Sequence, residues 1–259
     1  MKTMIITGGS SGIGKAAAQL FAEKGYKVYE LSRHGESAEG ITHIDCDVTV
    51  AVNCSDAVKR VIDECGTLDV LISNAGMGIS GAVEFTEESE ARRQFDVNFF
   101  GALNITQAAL PYLRTQRHGR IIFVSSVMAT FSLPFQAFYS ATKSAVNSLA
   151  LALRNEVRPF GIEVCILMPG DVKTGFTAAR KKSLAGSEVY THMEKAVSTM
   201  EHDEQHGITP ERMARKLLSM AETKRPAATS TVGWMYHLFL LLGKLVPTTL
   251  AYRIVGKMY

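Results

Sequence analysis

The sequence is poor in cysteine, and its four cysteines are irregularly separated. Cys46, Cys54, Cys65 and Cys165 form neither a Cys-x-x-Cys pair nor another spacing used by metal sites. Thiols without such a pattern are typical of buried, reduced side chains. The three histidines within residues 175–206, His192, His202 and His206, are also unevenly spaced. The sequence therefore predicts no metal site.

Long apolar runs and excess charge are missing as well. No segment reaches the roughly 18 consecutive apolar residues of a membrane-spanning helix. A net charge of +3 is too small to indicate a nucleic-acid partner. A first strand that begins at about Lys2 leaves no room for a signal peptide. With 46% hydrophobic and 20% charged residues, the 259-residue chain is typical of a soluble globular protein, which we expect to be cytoplasmic.

Apolar runs alternate with amphipathic stretches along the first two thirds of the chain. The predicted strands cover about residues 2–7, 27–31, 41–45, 68–73, 120–124 and 162–168. Strands and helices alternate as βαβα, which favours a parallel sheet with helices on both faces. We therefore predict an α/β fold, a single doubly wound (Rossmann-type) parallel sheet flanked by helices, in one domain over 1–259.

A glycine-rich turn, Thr7-Gly-Gly-Ser-Ser-Gly-Ile-Gly14, links the first strand to the first helix. Free N–H groups and the helix dipole at such a helix start attract an anion, so the turn predicts a dinucleotide-phosphate site. The residues expected there are Gly8, Ser10, Ser11, Gly12, Ile13 and Gly14. The alternative is a tight turn without a ligand, in which glycine is needed only for the backbone angles it can adopt.

Two further strand ends bear on the choice of dinucleotide. Ser32 and Arg33 follow the second strand, at the position that faces the adenine ribose in doubly wound folds. An arginine there, with no carboxylate at position 32, favours NADP over NAD; the alternative is a solvated surface arginine. Strand alternation is expected to turn Glu30 away from Arg33. Asp47, after the third strand, accepts from the adenine amino group, caps the following helix, or does both.

Tyr139 and Lys143 are four residues apart in a helix predicted from about 138 to 157, so they share one helix face. A nearby cation is expected to lower the pKa of the tyrosine from about 10, which suits a general acid/base. Ser126, just after a buried strand, can aim its hydroxyl at the same substrate oxygen. Taken alone, a Tyr-x-x-x-Lys pair is more often a surface contact.

Asn98 stands amid apolar residues in a long helix predicted over about 87–113 and opened by Thr86. A buried amide needs hydrogen-bond partners. Asn98 therefore either satisfies neighbouring backbone groups or holds a water. Asn74-Ala-Gly76 follows the fourth strand, and its small residues would let the backbone approach a ligand closely.

These residues all fall at the carboxyl ends of strands or the starts of helices, where open α/β sheets bind ligands. With Pro169-Gly170 and Thr174, their order along residues 7–174 resembles the short-chain dehydrogenase/reductase family. The resemblance implies hydride transfer between a nicotinamide and a carbonyl or secondary alcohol.

The resemblance also implies a role for each residue. Tyr139 exchanges a proton with the substrate oxygen, and Ser126 hydrogen-bonds that oxygen. Lys143 lowers the pKa of Tyr139 and holds the nicotinamide ribose, and Asn98 supports a water that relays protons to Lys143. The other contacts, to pyrophosphate, adenine, ribose and carboxamide, fall on the 8–14 turn, Asp47, Val48, Asn74, Ala75, Gly76, Pro169, Gly170, Val172 and Thr174.

The last third of the chain is less patterned. By resemblance, residues 175–206 form a variable lid over the substrate. From Thr223 to Tyr259 there are five basic residues and no acidic one, and residues 234–246 are strongly apolar. We interpret that segment either as a helix buried against the domain or an oligomer partner, or as a helix in a membrane interface.

We therefore expect an NADP-dependent carbonyl reductase or alcohol dehydrogenase, with NADPH as cofactor and NAD as the alternative. Its substrate is expected to be apolar, such as a steroid-, retinoid- or acyl-like molecule. The alternatives are a nucleotide-binding regulatory protein and a membrane-docked protein that keep the fold without turnover. The expected partners are other copies in a homodimer or homotetramer, and a peripheral membrane contact through 234–246.

Overall fold

The computed structural model describes residues 1–258, and its centre is a parallel β-sheet. The described strands are β1 Thr3–Thr7, β2 Lys27–Ser32, β3 Ile41–Asp45, β4 Val70–Ser73, β5 Ile79–Ser80, β6 Gly119–Val124, β7 Ile162–Leu167, β8 Lys181–Lys182 and β9 Thr229–Ser230. Within this part of the chain, seven strands form the main sheet in the order β3-β2-β1-β4-β6-β7-β9, and β5 pairs with β8 beside it. Every pairing between these strands is parallel.

The strand order reverses beside β1. The chain runs outward from β1 through β2 to β3, and then returns to β4 on the other side of β1. Both β1 and β4 are buried along their whole length, as their nearly continuous apolar sequences predict for strands covered on both faces. The carboxyl ends of β1 and β4 therefore border the crevice at which doubly wound sheets bind ligands.

Helices cover both faces of the sheet. The described α-helices are α1 Gly12–Glu23, α2 Ala51–Cys65, α3 Glu88–Phe95, α4 Gly101–Gln116, α5 Ala137–Val157, α6 Phe176–Ala179, α7 Met193–Gln205, α8 Pro210–Glu222, α9 Trp234–Leu245 and α10 Thr248–Met258. One face buries an apolar core with α2, α4 and α5, around residues such as Ile105 and Phe123. The other buries a core with α1 and α8, around Phe21 and Leu217. The predicted doubly wound α/β fold is confirmed.

The prediction of one continuous helix over about 87–113, opened by Thr86, is wrong. After α3, the five residues Asp96–Phe100 adopt a π-helical turn before α4 begins. Such turns insert a residue into a helix and are frequent at functional sites. Thr86 does not open the helix either: its hydroxyl donates to the carbonyl oxygen of Ala82 (2.8 Å), and Glu87 is the N-cap residue.

The last part of the chain forms short elements over the carboxyl edge. The predicted lid, 175–206, contains α6, β8 and α7. The apolar segment 234–246 forms α9 with Val246 as its C-cap residue, a helix as both of its interpretations require. The short strand β9 and the helix α10 were not predicted, because neither sequence shows a long periodic pattern of apolar residues. None of the described helices is long and apolar enough to cross a membrane.

Candidate active site

The glycine turn is braced where β1 and β4 end. The Thr7 hydroxyl oxygen accepts hydrogen bonds from the backbone N–H groups of Asn74 and Ala75, both at 3.0 Å. The Asn74 side-chain amide donates to the carbonyl oxygens of Thr7 (3.0 Å) and Gly8 (3.1 Å). The φ angle of Gly8 is +65°, in the left-handed region that favours glycine. Asn74 therefore fixes the shape of the turn besides bordering the cavity.

The start of α1 fits an anion such as the pyrophosphate of a dinucleotide. Its N-cap residue, Ser11, makes no side-chain capping hydrogen bond, although the first N–H groups of a helix have no partner within it. A Cβ atom on Gly14 would collide with the carbonyl oxygen of Gly8 and the Asn74 amide. Glycine at that position lets the helix start close to the turn, where its dipole attracts negative charge.

A cavity of about 650 Å³ opens above this turn. It brings together most of the residues predicted for the site, namely Gly8, Ser11, Gly12, Ile13, Asn74, Ala75, Gly76, Ser126, Tyr139, Lys143, Pro169, Gly170, Val172 and Thr174. The other predicted residues lie elsewhere: Ser10 and Arg33 line a second groove, and Gly14, Ser32, Asp47, Val48 and Asn98 line neither.

Ser126, Tyr139 and Lys143 meet at the buried end of the cavity. Ser126 lies close enough to Tyr139 for the serine hydroxyl to lower the pKa of the tyrosine. The Ser126 oxygen also accepts from the backbone N–H of Met128 (3.1 Å), which orients the serine after β6. Lys143 Nζ lies 5.8 Å from the centroid of the Tyr139 ring and donates to the carbonyl oxygen of Val124 (2.9 Å). Two hydroxyls and an amine thus share one small, largely apolar space.

Burial controls the pKa values in this space. It raises the pKa of Tyr139 to about 12, and the nearby hydroxyl of Ser126 lowers that pKa by a smaller amount. Burial also lowers the pKa of Lys143 from 10.5 to about 8. The expected fall in the pKa of Tyr139 is therefore wrong, because removal from water raises this pKa and Lys143 is not among the groups that lower it. At neutral pH, Tyr139 is a protonated phenol that can donate its proton.

Asn98 satisfies backbone groups, as one of its two interpretations predicted. Its amide oxygen accepts from the N–H of Met77 (2.8 Å), and its amide nitrogen donates to the carbonyl oxygen of Met77 (3.0 Å) and the hydroxyl of Thr142 (3.1 Å). The π-helical turn holds it in this position. A Cβ atom on Gly76 would lie 3.3 Å from the Asn98 amide oxygen and 3.6 Å from Lys143 Nζ. Gly76 therefore keeps open the space between the Asn98 amide and the Lys143 amine.

A second groove, of about 780 Å³, lies beside the end of β2. Ser10, Lys15, Arg33 and His34 contribute polar and basic groups to it. The Ser32 hydroxyl donates to the carbonyl oxygen of His34 (3.1 Å) and so shapes the loop that carries Arg33. The basic side chains of Lys15 and Arg33 can face an anionic group placed in this groove.

Asp47 is held at the end of β3. Burial alone would raise its pKa, but hydrogen bonds from the N–H (2.9 Å) and hydroxyl (2.8 Å) of Thr49, together with nearby Arg33, lower the pKa. Asp47 does not cap α2, whose N-cap residue is Val50. The neighbouring Val48 is fixed through its carbonyl oxygen, which accepts from the Asn104 amide (2.8 Å).

The prediction that strand alternation turns Glu30 away from the side chain of Arg33 stays a prediction. Both residues line the second groove. Glu30 lies beneath the glycine turn, where its carboxylate is buried and paired with the ring of His43. Burial lowers the pKa of His43, but hydrogen bonds from its ring to the carboxylates of Glu30 and Asp45 outweigh this effect, so the pKa is raised. Alternation within the strand does not describe the loop after it, so it could not place Arg33.

The lid adds a charged pair that no sequence motif indicated. Arg180 Nη2 donates to Glu204 Oε1 (2.5 Å), and the Thr177 hydroxyl donates to Glu204 Oε2 (2.6 Å). Glu204 raises the pKa of Tyr139 and Arg180 lowers it, both less strongly than burial does. The Phe176 ring lies 5.7 Å from the Tyr139 ring, centroid to centroid. Pairs between separate helices leave no spacing pattern in the sequence.

Comparison with known proteins agrees with this geometry. A family model described as short chain dehydrogenase matches residues 2–185. The 3-ketodihydrosphingosine reductase of Bacteroides thetaiotaomicron is 41% identical over 234 residues, covering 89% of this chain and 87% of that protein.

Solved structures show the same fold. A short-chain dehydrogenase from Streptomyces avermitilis superposes with a TM-score of 0.81 at 28% identity, over 97% of both chains. ElxO, solved with NADP bound, superposes with a TM-score of 0.77 at 25% identity, over 92% of this chain and 99% of its own.

Fold and site define a nucleotide-binding oxidoreductase of the Rossmann class, which works with a nicotinamide cofactor. More narrowly, the chain belongs to the short-chain dehydrogenase/reductase family. The resemblance inferred from the motifs is therefore confirmed.

Proposed function

We propose that this protein uses NADPH to reduce a ketone on a long apolar molecule to a secondary alcohol. One observation carries the proposal: the hydroxyl-bearing side chains of Ser126 and Tyr139 line the same apolar cavity as the glycine turn, close enough for Ser126 to affect the pKa of Tyr139. When bound, the nicotinamide cofactor supplies the hydride, and the protein supplies geometry and a proton.

The high pKa of Tyr139 supports the reducing direction. During reduction, negative charge develops on the former carbonyl oxygen, and groups aimed at that charge lower the barrier. Ser126 and Tyr139 donate hydrogen bonds to that oxygen in our proposal, and Tyr139 then transfers its proton. With a pKa of about 12, Tyr139 carries that proton throughout the physiological range.

In our proposal, Lys143 and Asn98 support the proton transfer by Tyr139. Lys143 Nζ lies beneath the Tyr139 ring, where it can hold the nicotinamide ribose and return a proton toward the phenol. The Asn98 amide oxygen lies across Gly76 from that amine. We propose that Asn98 orders a water on the proton path to Lys143, in addition to the backbone contacts already described.

The nucleotide is bound along the carboxyl edge. The 8–14 turn holds the pyrophosphate, Asp47 and Val48 flank the adenine, and residues 74–76 border its ribose. Pro169, Gly170, Val172 and Thr174 hold the carboxamide end.

The second groove favours NADP over NAD. Arg33 and Lys15 are the basic residues that line it, beside the end of β2. A 2′-phosphate on the adenine ribose could pair with both of these side chains. The carboxylates that line the groove and could instead select the 2′-hydroxyl of NAD are Glu30, Glu36 and Asp45; Glu30 is buried, and both Glu30 and Asp45 are paired with His43.

The cavity walls favour an acyl-like chain. Beyond the hydroxyl pair, the cavity is lined by apolar side chains that include Phe131, Leu133, Phe239, Leu242 and Val246. Its volume of about 650 Å³ accommodates a large ligand. The 41% identity with a 3-ketodihydrosphingosine reductase supports a 3-keto long-chain base as substrate, ahead of a steroid or retinoid.

Initial rates of NADPH oxidation test this function. 3-Ketodihydrosphingosine should be reduced with at least a tenfold higher kcat/KM than short ketones such as 2-butanone, since each buried CH₂ adds about 0.8 kcal/mol of binding. NADH should support slower turnover. Binding of NADPH without oxidation by any ketone of graded chain length would favour the alternative, a nucleotide-binding regulatory protein.

We also propose that the protein is a cytoplasmic or membrane-associated homodimer or homotetramer paired through α4 and α5. Leu151 on α5 and Phe100, just before α4, are both exposed apolar side chains. Light scattering of the wild type and of Leu151→Glu tests the assignment. The substituted protein should have a smaller mass, and an unchanged mass would contradict it.

A further inference from the structure

The helix α9 has two different faces. Its inner face packs on the domain through Tyr236, Leu240 and Gly243, which are spaced i, i+4 and i+7. The Tyr236 hydroxyl donates to Asp171 Oδ2 (2.6 Å), and its ring covers Gly170. Gly243 lies against the ring of Phe131, where a Cβ atom would be 2.7 Å from the ring. These contacts hold the helix beside the cavity.

The outer face of α9 is apolar and exposed. Trp234, Leu238, Leu241 and Leu245 are spaced i, i+4, i+7 and i+11, so they form one stripe. Their exposed fractions are 79%, 42%, 54% and 70%. On α10, Leu250 is also exposed, at 51%. Exposed apolar patches of this kind mark interaction sites.

The same two helices line the cavity from the other side. Leu242 and Val246 of the α9 end, and Ala251, Ile254 and Val255 of α10, all border it. Leu242 and Ile254 are also exposed at the surface. The rim of the cavity is therefore continuous with the apolar stripe, and a chain lying on the stripe can reach the cavity without crossing polar surface.

The charge of this region points to one kind of partner. Between Thr223 and Tyr259 the sequence has five basic residues and no acidic one. Among those whose side chains are described, Lys224, Arg225 and Arg253 are exposed. Apolar stripes flanked by basic residues bind the interface of anionic bilayers.

We infer that α9 and α10 dock on an anionic lipid surface and admit the long-chain substrate directly from it into the cavity. The docking is peripheral, since no described helix can cross a bilayer. The choice of a lipid surface over a second copy of this chain rests on the charge and on the continuity with the cavity. The lipid substrate itself rests on the proposed function, whereas the docking surface does not.

Flotation with vesicles tests the docking. The full chain is mixed with vesicles of phosphatidylcholine alone or with 30% phosphatidylglycerol (roughly the anionic share that gives a clear surface potential). A triple variant, Trp234→Ser, Leu241→Ser and Leu245→Ser, removes the stripe without touching a residue that lines the cavity. The control, Val52→Ser with Val83→Ser, removes apolar side chains of similar exposure elsewhere.

The wild type and the control should float with the anionic vesicles, and added salt should weaken their binding. The triple variant should lose at least tenfold in vesicle affinity while keeping its NADPH affinity and its rate on a short water-soluble ketone. Absence of wild-type flotation would overturn the inference. So would dissociation of an oligomer by the triple variant without any change in flotation, because a second copy would then cover the stripe. Flotation without reduction of any ketone would instead refute the proposed function alone.

Discussion

Replacing Lys143 with methionine should stabilise the protein and abolish its turnover. A fall in the lysine pKa from 10.5 to about 8 corresponds to about 3 kcal/mol of unfavourable free energy for keeping the buried ammonium charged at neutral pH. Methionine removes that cost but leaves the carbonyl oxygen of Val124 without its 2.9 Å hydrogen bond, which costs about 1 kcal/mol. The expected net gain is about 2 kcal/mol, or about 5 °C in Tm.

The gain should depend on pH in a particular direction. Below about pH 8, wild-type Lys143 is charged in both the folded and the unfolded state, so the full cost is present. Between about pH 8 and 10.5 the folded state loses its proton first, because its pKa is the lower one. Wild-type stability therefore rises with pH through this window relative to the variant, and the advantage of Lys143→Met shrinks.

Urea unfolding at several pH values from 6 to 10 (roughly the range spanned by both pKa values) measures this difference, with Lys24→Met, at an exposed lysine, as the control. The control should change stability by less than about 0.5 kcal/mol at every pH. A Lys143→Met protein that is no more stable than wild type at neutral pH would refute the reasoning. A gain that stays constant up to the highest pH would refute it equally, since burial of a charge would then not be its cause.

Three further outcomes follow from the site. Because Tyr139 has a pKa of about 12, alcohol oxidation, which needs the phenolate, should rise about tenfold per pH unit from 7 to 9; a level rate in initial-velocity assays would contradict this. Arg33→Asp should reduce the ratio of kcat/KM with NADPH to kcat/KM with NADH by about tenfold or more, whereas the control Lys24→Asp should leave this ratio unchanged. An unaltered ratio in Arg33→Asp would show that Arg33 does not contact the 2′-phosphate. Gly14→Ala should cost about 2 kcal/mol of stability and weaken NADPH binding, measured by urea unfolding and fluorescence titration, because its methyl group meets the Gly8 carbonyl; wild-type values would show that α1 can move away.

Local patterns were enough to predict the sheet edge and the positions of the reactive groups. The glycine turn, the ends of the apolar strands and the four-residue spacing of Tyr139 and Lys143 are local features, and parallel strands bring their carboxyl ends together. Ser126 could be placed for the same reason, since it follows the buried strand β6.

Properties that depend on the burial of a side chain, or on contacts between residues far apart in the sequence, could not be predicted. The spacing of Tyr139 and Lys143 places a cation near a phenol, but only the packed fold shows that burial reverses the expected pKa shift. The π-helical turn at Asn98 depends on partners in Met77 and Thr142, far along the sequence. Glu30 pairs with His43 across two strands, which alternation within one strand cannot reveal.

The most direct test compares Tyr139→Phe with wild type, using NADPH and 3-ketodihydrosphingosine. Phenylalanine keeps the ring but removes the only atom that is proposed to donate the proton. We expect kcat to fall by about 10²–10⁴-fold, while the Kd for NADPH changes less than about threefold, or about 0.6 kcal/mol. Near-normal turnover by Tyr139→Phe on this substrate would contradict the assignment of the proton donor and the mechanism built on it.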